Sequence, residues 1–443
     1  MLGVLANRTY RHLFVAQVIA LVGTGLLTVA LGLLAFQLAG AEAGVVLGTA
    51  LAIKMVAYVV VSPIVGGFAD RLPRRAFLIS MDLVRAGIAL FLPFVTEVWQ
   101  IYVMIFLLQS ASAAFTPTFQ ATIPDVLPEE RDYTRALSLS RLAYDLESLL
   151  SPALAAAMLA LVSFHWLFAG TVIGFLVSAA LVLSVLLPKP PTTDRKDSFL
   201  KRTTRGIRIY LATPRLRGLL ALNLSVAAAG AMVIVNTVVI VRGLLDRPDS
   251  DVAIALACFG GGSMIAALML PPVLDRIGDR AVMLPAAGLL GILLLAFANV
   301  MSARPEVLWG LLLPAWALLG VGYSTIQVPV GRLLRRSSNP ADRPSLFAAQ
   351  FSLSHACWLL TYPLAGWLGL KTGMPVTLAM LGGLTLVGFA LAFWLWPAHD
   401  PEVITHEHRD LSPGHPHLNE NRGRKGHAHA FMIDDLHPQW PRG

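Results

Sequence analysis

Twelve apolar stretches, each close to the length a bilayer demands, constrain this chain more than any other feature. They lie near residues 13–38, 43–69, 76–96, 98–120, 142–163, 166–187, 218–241, 252–274, 281–302, 307–330, 345–370 and 373–397. A membrane-spanning helix needs about 20 mainly apolar residues. Lipid cannot satisfy exposed backbone groups, so continuous helices are the expected form. The alternating short segments of a β-barrel are absent from the sequence. Composition agrees: 56% of the residues are hydrophobic and 14% charged, against about 25% charged in soluble proteins. The expected fold class is all-α and integral to a membrane. The first apolar run is too long for a cleaved signal peptide. Cys258 and Cys357 both fall inside spans, so no disulfide framework is indicated.

Lys and Arg in the loops set the orientation. Twelve spans put both termini on one side. That side carries 28 basic residues, the opposite side four (Arg242, Arg247, Arg304 and Lys371), and two more, Lys54 and Arg85, lie within spans. Both termini are therefore expected in the cytoplasm. The net charge of +8 follows from this bias and implies no nucleic-acid partner.

A basic segment, residues 188–217, with Pro188, Pro190 and Pro191, separates six spans (1–187) from six (218–397). Each half carries a related turn. After span 2 the chain reads Gly66-Gly67-Phe68-Ala69-Asp70-Arg71-Leu72-Pro73-Arg74-Arg75, and after span 8 Pro271-Pro272-Val273-Leu274-Asp275-Arg276-Ile277-Gly278-Asp279-Arg280. The two Asp-Arg pairs are 205 residues apart. Such a repeat, placed at the same point of each half, is a signal at the level of the fold. On these residues the sequence resembles the major facilitator superfamily, which carries Gly-x-x-x-Asp-Arg-x-Gly-Arg-Arg in the 2–3 loop and a weaker copy in the 8–9 loop. Pro73 and Pro271 depart from that pattern. The resemblance implies two six-helix halves and a cytoplasmic gate, with Asp70 capping a helix N-terminus across it.

Ionisable groups at membrane depth default to functional hypotheses. Asp82 and Arg85, three apart in span 3, can pair with each other or with the loop arginines. Asp145 follows Arg141 by four residues, the spacing of a helical ion pair. Glu147 points away from Asp145 on the same helix and has no partner there, making it the candidate for a proton or cation site. Lys54 lies about 16 Å into span 2, too deep to reach the surface easily. His355 lies at similar depth in span 11, a neighbour of span 2 in the family fold. Beside Lys54 it is expected to be neutral, the form that binds metals. Gln17, Thr24, Gln109, Asn223, Asn236, Tyr323, Gln327 and Gln350 are polar groups that could line a path or glue helices together.

Of 11 histidines, eight lie at or beyond His399, in a tail (398–443) rich in Pro, Gly and charge that is expected to be largely disordered. His406/His408, His415/His417 and His427/His429 form His-x-His pairs, with His437 beyond them. Such pairs can chelate Ni²⁺, Co²⁺, Cu²⁺ or Zn²⁺. With the acidic span 5, the tail resembles the nickel-resistance permeases of the superfamily. The stretch from Thr116 to Asp125 is also similar to macrolide-type drug exporters. Span 5 carries Ser151-Pro152 where exporting members carry Gly-Pro. No phosphate-binding loop or catalytic constellation is present, so neither ATP coupling nor an enzyme is indicated. The expectation is a proton-coupled exporter of a divalent transition metal in a bacterial inner membrane, with no resident cofactor. The alternatives are export of an organic toxicant or siderophore-like molecule, and a non-transporting metal receptor.

Overall fold

The structure, a computed structural model, describes residues 2–39, 43–68, 72–188, 198–303, 308–401, 403–406, 422–423 and 426–441. The first half contains α1 (Arg8–Ala39), α2 (Ala43–Gly66), α3 (Arg74–Phe91), α4 (Val98–Val126), α5 (Glu130–Leu159) and α6 (His165–Leu183). The connecting helix α7 (Phe199–Ala212) precedes α8 (Pro214–Val238), α9 (Asp249–Leu274), α10 (Asp279–Ala303), α11 (Leu308–Gln327), the short α12 (Val330–Arg336), α13 (Arg343–Thr372) and α14 (Met374–Leu395). Twelve of these are long helices, as the apolar stretches require. Ten stretches among the described residues, on every long helix except α5 and α13, are long and apolar enough to cross a membrane. Those two carry several of the polar groups within the bundle: Arg141, Asp145 and Glu147 on α5, and Gln350 and His355 on α13.

The halves repeat helix for helix. In the first, α1 packs on α5 and α6, α3 on α6, and α2 on α4. In the second, α8 packs on α13 and α14, α10 on α14, and α9 on α11. Across the halves α2 meets α13 and α5 meets α9, one relation written twice. Apolar faces on both sides of each helix explain this arrangement. One side packs on neighbours; the other carries exposed Leu, Ile, Val and Phe, as lipid permits.

Two expectations need correction. The central segment, read as a loop, contains α7, which lays Ile209 and Tyr210 against the second half; its Arg205 bonds Asp342 at 2.6 Å. In the tail, the described residues include secondary structure. Strands β1 (Val403–His406), β2 (Arg422–Gly423) and β3 (Gly426–Ala430) form an antiparallel sheet in the order β1-β3-β2, with His406 opposite His427. Phe431 and Ile433 then enter the core of the second half. The polar composition of the tail as a whole concealed this short apolar end.

Candidate functional site

A cluster of polar and aromatic side chains lies where α2 and α4 of the first half meet α13 of the second. The Lys54 ammonium sits 5.6 Å from the centre of the Tyr58 ring, one turn along α2. Tyr58 donates a hydrogen bond to Gln109 of α4 at 2.8 Å. Its ring meets Phe351 and His355 of α13, each at 4.8 Å between centroids. His355 Nδ1 lies 2.7 Å from the Phe351 carbonyl. A carbonyl only accepts, so Nδ1 carries the proton and Nε2 the lone pair. Lys54 and His355 thus flank one tyrosine, as their depths suggested.

Glu147 is half-buried on α5. Gly25 of α1 makes room for it. A Cβ there would fall 2.1 Å from Ser151 Oγ and 2.7 Å from Glu147 Oε1. Sequence reasoning found each charge but not the close approach of α1 to Glu147 at Gly25. It also missed an aromatic stripe on α13: Phe351, His355, Trp358 and Tyr362 recur at spacings of four, three and four, which places them on one face. Successive rings touch at 4.2 Å (Phe351–His355) and 4.8 Å (Trp358–Tyr362), and Tyr323 of α11 faces Trp358 at 6.5 Å.

The other intramembrane charges are paired. Asp145 forms an ion pair with Arg141 and accepts a hydrogen bond from Ser263 of α9 at 2.6 Å. Arg141 also reaches Ser263, at 3.2 Å, and stacks over Tyr323 at 4.9 Å. This cluster therefore ties the halves together. Asp82 pairs with Arg85 and accepts from Ser178 of α6 at 2.8 Å. The Arg85 guanidinium lies between Phe115 and Phe175, at 4.2 and 4.5 Å. That knot is buried within the first half.

The two turn motifs lie at one end of the helices, between α2 and α3 and between α9 and α10. Asp70 and Arg71 lie outside the described residues. Gly66 allows α2 and α13 to touch: a Cβ there would sit 2.4 Å from the Ala348 Cβ. Ser345 donates to the Gly66 carbonyl at 2.8 Å, Ser62 to Ala348 at 3.0 Å and Ser352 to Val59 at 2.6 Å. Arg74 bonds Asp125 at the end of α4 at 2.6 Å, and Arg343 of the other half takes the second oxygen of the same carboxylate. Arg75 caps the end of α6 through the Leu183 carbonyl. In the second copy, Asp275 reaches Arg131 across the halves at 3.6 Å, Arg276 is exposed, and Arg280 donates to the Trp396 carbonyl at 3.0 Å. Asp279 holds Arg332 and Arg336, each at 3.4 Å, with acid and base exchanged relative to Arg74 and Asp125. The bonds of Ser62, Ser345, Ser352, Arg343 and Asp275 join the two halves at this end. An acid closing an apolar span beside an arginine-rich loop was the available signal for Asp125; nothing in the sequence marked Ser263.

In the tail, His408, His415 and His417 lie outside the described residues, as do the side chains of His406 and His427. The rings of His429 and His437 are 4.9 Å apart, and His437 is buried. Asp434 accepts from His437 Nδ1 and the His437 backbone N–H, both at 2.8 Å, and from the Leu436 N–H at 2.9 Å. Burial acts to raise its carboxyl, but these bonds and the histidine outweigh it and hold it below the usual carboxylate range. Among the described residues no group of three His, Cys, Asp or Glu is placed to hold a metal ion.

The Major Facilitator Superfamily model matches residues 13–246 and 220–425. The chain is 24% identical over 349 residues to the uncharacterized MFS-type transporter YfiS of Bacillus subtilis (strain 168), covering 75% of this chain and 82% of that one. It is 27% identical over 192 residues to macrolide efflux protein A of Enterococcus faecalis, covering 40% of this chain and 58% of that protein. Among solved structures, a bacterial homologue of the iron transporter ferroportin in an outward-facing state superposes with a TM-score of 0.71 at 13% identity, covering 87% of this chain and 99% of that one. At that identity the likeness concerns the fold alone.

Proposed function

Because this chain belongs to the major facilitator superfamily of membrane transporters, we propose that it is a proton-coupled exporter of an amphiphilic organic compound, working by alternating access in a bacterial inner membrane with both termini in the cytoplasm. The observation that carries this reading is the aromatic stripe of α13, with Lys54 beside the Tyr58 ring that meets it and the carboxylate of Glu147 on α5. Aromatic faces bind apolar bodies and organic cations. They offer a transition metal little, whereas one carboxylate gives a cation or proton a single seat. Glu147 cannot hold a proton and a cationic substrate together, so each displaces the other, which is the logic of antiport. The similarity to macrolide efflux protein A lends this reading further support.

A second reading, export of nickel or cobalt, is favoured by the His429–His437 contact in the tail. One experiment separates them. The protein is expressed in a bacterial host stripped of its own exporters and challenged with macrolides, amphiphilic cations, Ni²⁺ and Co²⁺. Raised tolerance to organic compounds, lost in Glu147→Gln at equal expression, is the expected result. Tolerance to Ni²⁺ or Co²⁺ alone would overturn the organic reading. Vesicle flux under an imposed pH gradient then tests the coupling.

A further inference from the structure

We propose that the cytoplasmic gate contains a binding site for a phosphate-bearing anion, roofed by the tail, and that filling it holds the gate shut. A cavity of about 320 Å³ lies between the halves, lined by Arg215, Arg332, Arg335, Arg336 and Arg343, with Glu130 the one carboxylate among its lining residues. Tyr133 of α5 forms part of its wall, and Ala430, Phe431 and Met432 cover it from the tail.

Among the described residues, four acids serve the five lining arginines. Asp125 pairs with Arg343, Glu130 with Arg332, Asp279 with Arg332 and Arg336, and Asp400 with Arg215 and Arg336. Asp125 is shared further with Arg74. Arg335 has no carboxylate among the described residues. It donates to the Pro128 carbonyl across the halves and stacks over Tyr133 at 5.5 Å. Arg335 Nη1 and Arg343 Nε are buried and meet no hydrogen-bond acceptor among the described residues, and Arg343 is only 8% exposed. Buried guanidinium donors without acceptors are costly, and a phosphate oxygen is the acceptor their geometry suits. The volume is at the small end of ligand pockets, which run from about 300 to 1,000 Å³. It suits a free phosphate or diphosphate, or the phosphate head of an anionic lipid at the inner surface.

The walls come from both halves and the tail, and they converge only while the cytoplasmic side is sealed. An anion that binds the sealed form better must by linkage favour that form. The site would therefore brake the transport cycle, whatever the substrate.

The test uses the full-length protein in nanodiscs of phosphatidylcholine, titrated with inorganic pyrophosphate, and in parallel discs containing phosphatidylglycerol. The readouts are the unfolding temperature and the alkylation rate of a thiol placed at the gate by Ser345→Cys. Pyrophosphate or phosphatidylglycerol should raise the first and slow the second, and which of them does so identifies the source of the phosphate. Arg335→Gln should weaken the response about tenfold, the scale of one charge-assisted hydrogen bond. Arg335→Lys, which keeps the charge but not the fork, should fall between. No response to either probe would overturn the proposal. So would a response that chloride reproduces at equal ionic strength, or one undiminished in a folded Arg335→Gln protein.

Discussion

Replacing Arg343 with Gln isolates the ion pair that crosses the gate. The Asp125 carboxylate keeps Arg74 at 2.6 Å after the change, so no orphaned acid is left behind. What is lost is the bond from the second half to Asp125, between side chains only 9% and 16% exposed. A hydrogen bond to a charged group contributes about 1.5–3 kcal/mol net. That bond exists only when the cytoplasmic ends are together, so its loss should shift the equilibrium toward the opened form by roughly 10- to 150-fold. The assay is alkylation from the cytoplasmic side of the thiol introduced by Ser345→Cys, in a chain carrying Cys258→Ser and Cys357→Ser. Ser345 bonds the Gly66 carbonyl in the sealed state, so its reactivity follows opening. Arg343→Gln should raise the labelling rate at least tenfold with the fold intact. A rate within twofold of the parent, at unchanged unfolding temperature, would refute the assignment of this pair to the gate.

Gly66→Val should also favour the opened form, because its Cβ cannot coexist with Ala348 at 2.4 Å; faster labelling of the same thiol checks this. Asp145→Asn should lower stability by about 3 kcal/mol, as removing one member of a buried pair strands the other, and a thermal-unfolding series will read it. Asp82→Asn should cost a similar amount, since it strands Arg85 between Phe115 and Phe175; an unchanged unfolding temperature would contradict that. The docked tail should come loose in acid. Its Asp434 is held below the usual carboxylate range, so its contribution is fully present above the unfolded value of about 3.9 and is lost as pH falls through the lower folded value. Limited proteolysis from pH 7 down to 3 should show cleavage near residues 426–441 only at the acid end, and cleavage already complete at pH 6 would count against it.

Much of this architecture was legible because membrane physics leaves few choices. Twelve apolar stretches must be twelve helices, and paired Asp-Arg turns must mark equivalent corners of a repeat. The Arg141–Asp145 and Asp82–Arg85 pairs were visible as helical spacings, since both partners lie on one helix. Partners on different helices were not. The meeting of Tyr58 with Gln109 and His355, the bond from Ser263 to Asp145, and the sharing of Asp125 by Arg74 and Arg343 depend on how helices rotate against one another, which no local pattern records. The tail failed as an expectation for a different reason. Averaging over 46 residues diluted Phe431, Ile433 and Trp440, the few side chains that dock it.

The Arg141–Asp145 cluster also bears on how the protein is made. Its outside contacts, Ser263 and Tyr323, belong to the second half, so α5 emerges from the ribosome long before either exists. A single Asp or Arg at the centre of a helix disfavours insertion by about 2.5–3.5 kcal/mol, and the internal pair offsets only part of that. Apolar α6, next in the chain, is the natural partner to carry α5 into the bilayer as a hairpin. Even so, α5 can settle only when α9 and α11 arrive. Its seating is thus a late step of biogenesis, and a chain whose second half is delayed or defective should expose α5 to membrane quality control first.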